Sequence, residues 1–146
     1  MRIELPDVNV LLALVDPVHP HHEKATHWYT AATSCGWATC PLTENGFVRI
    51  LSSPSYPGVR LRVADAVKML QAVIVNPVAQ HHFWPDSVSL LNTELFYPAA
   101  IAGPNQITDV YLLGLCQRHS GTLITLDAKI TTAAIVSPDI DLLCIL

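Results

Sequence analysis

Charge is what this chain has least of. Only 14% of its 146 residues are charged and 51% are hydrophobic, against roughly a quarter charged in an ordinary soluble domain. Eight Lys and Arg residues and a net charge of −4 exclude a diffuse electrostatic grip on nucleic acid, which needs a basic face. Contact with a polyanion must then be local, through a few cations or through metal ions. Long apolar runs are missing too, since none approaches the ~18 residues of a membrane span. Arg2 and Glu4 interrupt the start, where a secretory signal would need an apolar stretch. The chain is therefore expected to be soluble and cytoplasmic. Its four cysteines, Cys35, Cys40, Cys116 and Cys144, form no C-x-x-C pair, which argues against a structural zinc site. Cys116 and Cys144 lie in apolar segments and are expected to be buried thiols. No G-x-S-x-G elbow, P-loop or G-x-G-x-x-G occurs, which weakens serine hydrolase, NTPase and dinucleotide readings. Repeats and low-complexity linkers are also lacking.

What is present is a patterned set of acids. Asp7 is followed by Val10, Leu11 and Leu14; Glu44 by Phe47, Val48 and Leu51; Asp109 by Leu112, Leu113 and Cys116. Each acid heads an apolar stripe at the spacing of one helix face. Asp127, with Ile130, Thr131 and Ala134, heads a weaker one. Such an acid points along the core-facing side of its helix, where a carboxylate is costly unless paired, protonated or bound to a metal. Asp7, Asp109 and Asp127 could each be a plain helix cap. Glu44 fits that reading poorly, because Pro41 opens its helix and offers no capping side chain. Asp139 repeats the pattern with Leu142, Leu143 and Leu146, but it follows Pro138 and reads as the run-in to a last strand.

Strand and helix signals alternate. Strands are expected at Ile3–Leu5, Gly36–Cys40, His81–Trp84, Leu123–Leu126 and Ile140–Leu146. Helices are expected after Asp7, from His21 or His22, over Pro41–Leu51, Val59–Val75, Asp86 to about Leu95, Thr108–His119 and Asp127–Ala134. Ser52–Gly58 and Tyr97–Gln106 read as loops, and Gly121 as a helix-ending glycine. Alternation with apolar strands predicts one domain over residues 1–146. It is an α/β three-layer αβα fold around a mostly parallel sheet.

That topology gives the acids a meeting place. Asp7 and Asp127 follow strands directly, and sites in open α/β sheets form in the crevice beyond the strands' carboxyl ends. Glu44 and Asp109 sit in first helical turns that could face the same crevice. Two carboxylates about 4 Å apart repel by about 4 kcal/mol at an effective dielectric of about 20, and divalent ions remove that repulsion. Oxygen-only ligands suit Mg2+ or Mn2+ and not zinc. An ion of that kind binds phosphate oxygens and acidifies water, which predicts phosphodiester hydrolysis.

The chain also resembles PIN-domain proteins, and among them the VapC-type toxin ribonucleases of type II toxin–antitoxin systems. The resemblance rests on D-V-N-V-L-L-A-L at Asp7–Leu14, H-H-x-x-A-x-x-W at His21–Trp28 and T-E-N-G-F-V-R-I at Thr43–Ile50. T-D-V-Y-L-L-G-L-C at Thr108–Cys116 and G-T-L-I-T-L-D at Gly121–Asp127 complete it. No single piece is specific, but the ordered set spans nearly the whole chain. It implies that Asp7, Glu44, Asp109 and Asp127 are the family's catalytic acids, with Asn9 and Thr125 as supporting polar residues. A metal-dependent RNA endonuclease held inactive by a VapB-type antitoxin is implied with them. The alternative is an inactive PIN-like module that acts only through its partner complex. A phosphatase would want a second acid after Asp7, where Asn9 stands.

Within the quartet, Asp7 and Asp109 are expected to hold the metal. Glu44 and Asp127 would serve a second ion or orient water. Arg49, Lys129, Arg60 and Arg62 are the candidate RNA contacts, weighed against ordinary surface charge. His19, His21 and His22 read as a solvated helix start rather than a metal site. Apolar surplus with little charge suggests a homodimer or other partner. An acidic crevice invites an antitoxin Arg or Lys as a plug.

Overall fold

The structure, a computed structural model, describes residues 2–32, 35–58, 60–77 and 80–146. Its strands are β1 (Glu4–Pro6), β2 (Trp37–Thr39), β3 (His81–Phe83), β4 (Thr122–Thr125) and β5 (Leu143–Ile145). The helices are α1 (Val8–Val15), α2 (His22–Ala32), α3 (Pro41–Leu51), α4 (Val63–Ile74) and α5 (Ile107–Arg118). The strands pair in parallel in the order β3-β2-β1-β4-β5, so β1 and β4 lie at the centre. Leu5 stands opposite Leu123. Both pack with Phe96 and the α5 residues Leu112, Leu113 and Leu115 on one face. On the other face Trp37 and Ile124 pack with α1, α2 and Phe47 of α3. Period-2 alternation thus feeds two cores, and the result is the expected three-layer αβα fold.

Two glycines set how closely the layers approach. A Cβ on Gly46 would stand 2.8 Å from Val8 Cγ2, so α3 lies against the start of α1. A Cβ on Gly114 would overlap the Phe96 ring, which lets that ring bury against α5.

Several expectations fail locally. Residues 86–95 form irregular chain and turns, not a helix. Ser89 Oγ accepts the Leu91 amide at 3.1 Å and Asn92 Oδ1 accepts the Glu94 amide at 3.0 Å. Such local bonds give the backbone an alternative to the helical ladder. Asp127–Ala134 is likewise non-helical. Asp127 Oδ1 accepts the Lys129 amide at 2.9 Å, and Thr131 takes the Ala133 amide at 3.4 Å. The last strand is only Leu143–Ile145, because Asp139 is held in the preceding turn by Gln117 and Arg2. α4 begins at Val63, four residues after the expected start, with Arg62 at its N-cap position; Val59 itself lies outside the described residues. The left-handed residue after α5 is Ser120, with φ 51°. Gly121 is needed instead for space, since a Cβ there would meet Trp84 at 2.5 Å and the Ile3 carbonyl at 2.8 Å. Cys116 is buried as expected, but Cys144 is exposed on the edge strand β5. Among the described residues no helix is long and apolar enough to cross a membrane.

Candidate active site

The crevice beyond the carboxyl ends of β1 and β4 collects three of the four acids. Asp7 follows β1 and is only 5% exposed. It caps α1, its Oδ1 accepting the Val10 amide at 3.0 Å. Its Oδ2 accepts from the Thr125 hydroxyl at 2.5 Å. Capping and site placement therefore coexist in one side chain. Burial raises the Asp7 carboxyl above its ordinary value; the Thr125 hydroxyl and the Val10 and Asn9 amides oppose the shift, and the charge of Asp127 adds to it. Asn9 thus contributes its backbone, while its side chain is exposed.

Thr125, fully buried at the end of β4, has a second bond: its oxygen accepts the Asp127 amide at 3.0 Å. One hydroxyl therefore ties the Asp7 carboxylate to the turn that carries Asp127. Asp109 comes from the other side, in the first turn of α5. Gln106 holds the N-cap position there without a side-chain capping bond, so Asp109 is not the plain helix cap it could have been. Burial raises the Asp109 carboxyl too, and the nearby charges of Asp7 and Asp127 raise it further. A pocket of about 270 Å³ opens beside these groups, lined by Asp109, Asp127, Lys129, Asn105, Gln106 and Thr131 over an apolar floor.

Glu44 reaches the sheet end by another route. Cys40 and Thr43 form the capping box of α3, with the Cys40 amide donating to Thr43 Oγ1 at 3.0 Å. Glu44 is left free of capping, and its Oε2 accepts from the Thr39 hydroxyl at 2.6 Å. Thr39 ends β2, the neighbour of β1, and also meets His81 Nε2 at 2.8 Å.

Of the four proposed cations, Lys129 alone lines the pocket with Asp109 and Asp127. Arg49 lines a separate pocket with Ser53, Ser55 and Tyr56. Arg62 pairs with Asp65 at 3.1 Å on the exposed start of α4, and Arg60 is exposed just before it. Among the histidines, His22 Nδ1 lies 2.7 Å from the Ala13 carbonyl near the end of α1, a structural tie rather than a ligand position. Asn105 and Gln106, expected only as loop residues, line the pocket, and Thr39 was not among the candidate site residues. Thr39 had a usable signal: a polar residue ending an apolar strand in a parallel sheet faces the crevice.

The donor set fits a hard divalent cation, because all four acids offer oxygen and the charge of Asp127 is felt at both Asp7 and Asp109. Among the described residues no group of three His, Cys, Asp or Glu side chains is already gathered in metal-binding geometry.

No protein-family model matches the chain. Relatives match nearly all of it. Ribonuclease VapC44 of Mycobacterium tuberculosis is 41% identical over 131 residues, 90% of each chain. Ribonuclease VapC38 of the same species is 41% identical over 144 residues, 97% of this chain and 99% of its own. Ribonuclease VapC39 is 39% identical over 89% of this chain and 92% of its own. The fold is similar to a crystal structure of VapBC2 from Rickettsia felis bound to a DNA fragment from its promoter. That match has TM-score 0.59 at 15% identity, over 87% of this chain and 89% of that one.

Proposed function

The chain belongs to the VapC ribonuclease family, and on that premise we propose that it is a toxin that cuts RNA at the Asp7–Asp109–Asp127 crevice. The observation that carries the reading is the gathering of these carboxylates beyond the ends of β1 and β4, with Asp7 tied through Thr125 to the turn of Asp127 and Asp109 lining one pocket with Asp127. Burying like charges together costs stability, and a fold retains such an arrangement where the charges are used.

Asp7 and Asp109 are the residues that would hold Mg2+ or Mn2+, with Asp127 and Glu44 completing the oxygen set. When bound, the ion polarises the scissile phosphodiester and offsets the charge that develops on it. The chain's own groups do the rest. Thr125 orients Asp7. In this reading the exposed Asp127 and the half-buried Glu44 would accept a proton from an attacking water. Lys129 stands where it can pair with a phosphate of the strand lying over the pocket. A net charge of −4 leaves RNA binding to such local contacts.

The partners in this reading are RNA, a VapB-type antitoxin that inserts a cation among the acids, and a second copy of the chain. The deciding experiment uses purified protein and a panel of structured RNAs, with Mg2+ or Mn2+ against a chelator. Cleavage that needs the metal and is lost in Asp7→Asn and Asp109→Asn is expected. Wild-type cleavage by either variant would sink the assignment.

A further inference from the structure

Thr39 has one proton and two close polar neighbours. Its hydroxyl lies 2.6 Å from Glu44 Oε2 and 2.8 Å from His81 Nε2. A carboxylate only accepts, so the Thr39 proton belongs to Glu44, and the bond to His81 must then be donated by the imidazole Nε2–H. We propose that His81 and Thr39 form a positioning relay, His81 Nε2–H to Thr39 Oγ1–H to Glu44 Oε2, that holds Glu44 aimed at the crevice. The relay rests on the proposed ribonuclease reading, in which Glu44 handles the attacking water.

The surroundings suit a fixed relay. Thr39 is fully buried, so water does not compete for its hydroxyl. His81 pairs in register with Trp37, and their rings meet edge-on with centroids 4.8 Å apart, which fixes the imidazole plane. Burial, aided by the neighbouring His82, also lowers the His81 value. A neutral imidazole has a single N–H, so its tautomer decides whether the relay exists. Thr125 works the same way across the sheet, donating to Asp7 while accepting the Asp127 amide. There the second donor is backbone. Here it is a side chain, and so it can be exchanged.

The test compares Thr39→Val, Thr39→Ser, His81→Leu, His81→Gln and Glu44→Gln in the full-length chain. The substrate is one fluorescent RNA hairpin that the wild-type protein cleaves, with kcat, KM and thermal midpoint measured for each. Thr39→Val is expected to lower kcat about 10- to 100-fold, the effect of one hydrogen bond to a charged group. KM should stay within about twofold and the midpoint within about 5 °C. Serine at 39 restores the rate. His81→Leu lowers kcat about 5- to 10-fold, and glutamine, which presents an N–H2 donor at similar reach, restores it. Combining Thr39→Val with His81→Leu should cost no more than Thr39→Val alone, because both break one chain.

Full activity in Thr39→Val or His81→Leu while Glu44→Gln is inactive overturns the relay and leaves the ribonuclease reading standing. Additive losses, or a glutamine at 81 as impaired as leucine, overturn it as well. Full activity in Glu44→Gln removes the role of Glu44 itself and takes the relay with it. Should Thr39→Val fail to fold, the leucine and glutamine pair at 81 decides alone.

Discussion

The central and the outer strand ends of the sheet hold their carboxylates in opposite ways. On the β1–β4 side, Asp7 is 5% exposed, both of its oxygens are bonded, and its neighbours Asp109 and Asp127 are also acids. On the β2–β3 side, Glu44 is half-buried and held by a threonine that leads to a histidine. The first side concentrates charge and is made rigid by backbone amides. The second carries one charge and is held by side chains. The central strands β1 and β4 are flanked by strands on both sides and covered on one face by α5, whereas β3 is the sheet edge. Electrostatic strain therefore belongs to the centre and adjustability to the edge.

The sharpest way to break this comparison is to remove a central charge. Asp7→Asn or Asp109→Asn should lower RNA cleavage by at least about 100-fold, measured as metal-dependent turnover on a fixed RNA. Either variant cutting at the wild-type rate would show that the concentrated charge is not the chemical centre.

Next comes the pair of threonines. Thr125→Val strips a buried carboxylate of its hydroxyl donor and leaves the Asp127 amide without its acceptor, so it should cost about 1–3 kcal/mol in urea unfolding. Thr39→Val should cost less than about 1 kcal/mol, because a half-buried Glu44 can turn to water. Equal costs would erase the distinction between centre and edge.

A smaller effect follows from pH. The folded-state value of Asp7 is raised above its ordinary 3.8, so the folded state holds that proton more tightly. The stability this contributes is complete below the ordinary value and is lost as pH rises through the raised one. Asparagine keeps the Val10 cap and carries no charge. In chelator, Asp7→Asn and wild-type should melt alike in acid, and the variant should become the more stable as pH climbs to neutrality. A gap that narrows with pH would mean that burial does not dominate the shift.

The smallest expected change separates the cations. Lys129→Ala should raise KM about threefold to tenfold, the loss of one phosphate contact, and flatten the salt dependence. Arg49→Ala, on its separate pocket, should leave KM within about twofold. Equal effects would extend the RNA path across α3.

Much of this was legible beforehand. The stripes behind Asp7, Glu44 and Asp109 marked α1, α3 and α5, because helices that bury one face must repeat at 3.6 residues. The fourth stripe misled. Asp127 begins a turn in which its own carboxylate takes the Lys129 amide, and Ser89 and Asn92 undo the helix expected after Asp86 in the same way. Apolar spacing cannot register that competition, which is decided by single side-chain-to-backbone bonds. Cys144 misled for another reason: its strand is apolar, yet it lies at the edge.

The sequence by itself determined the strands, the helices α1, α3 and α5, the layered architecture and which four acids are candidates, since periodicity and residue type are local properties. Tertiary structure alone decided which of those acids share a field. Parallel pairing of β1 with β4 brings Thr125, 118 positions away in the chain, onto Asp7. The register of β3 on β2 likewise sets His81 against Thr39. Hydrogen bonds and Coulomb energies depend on distance in space, and strand order sets that distance where chain position cannot.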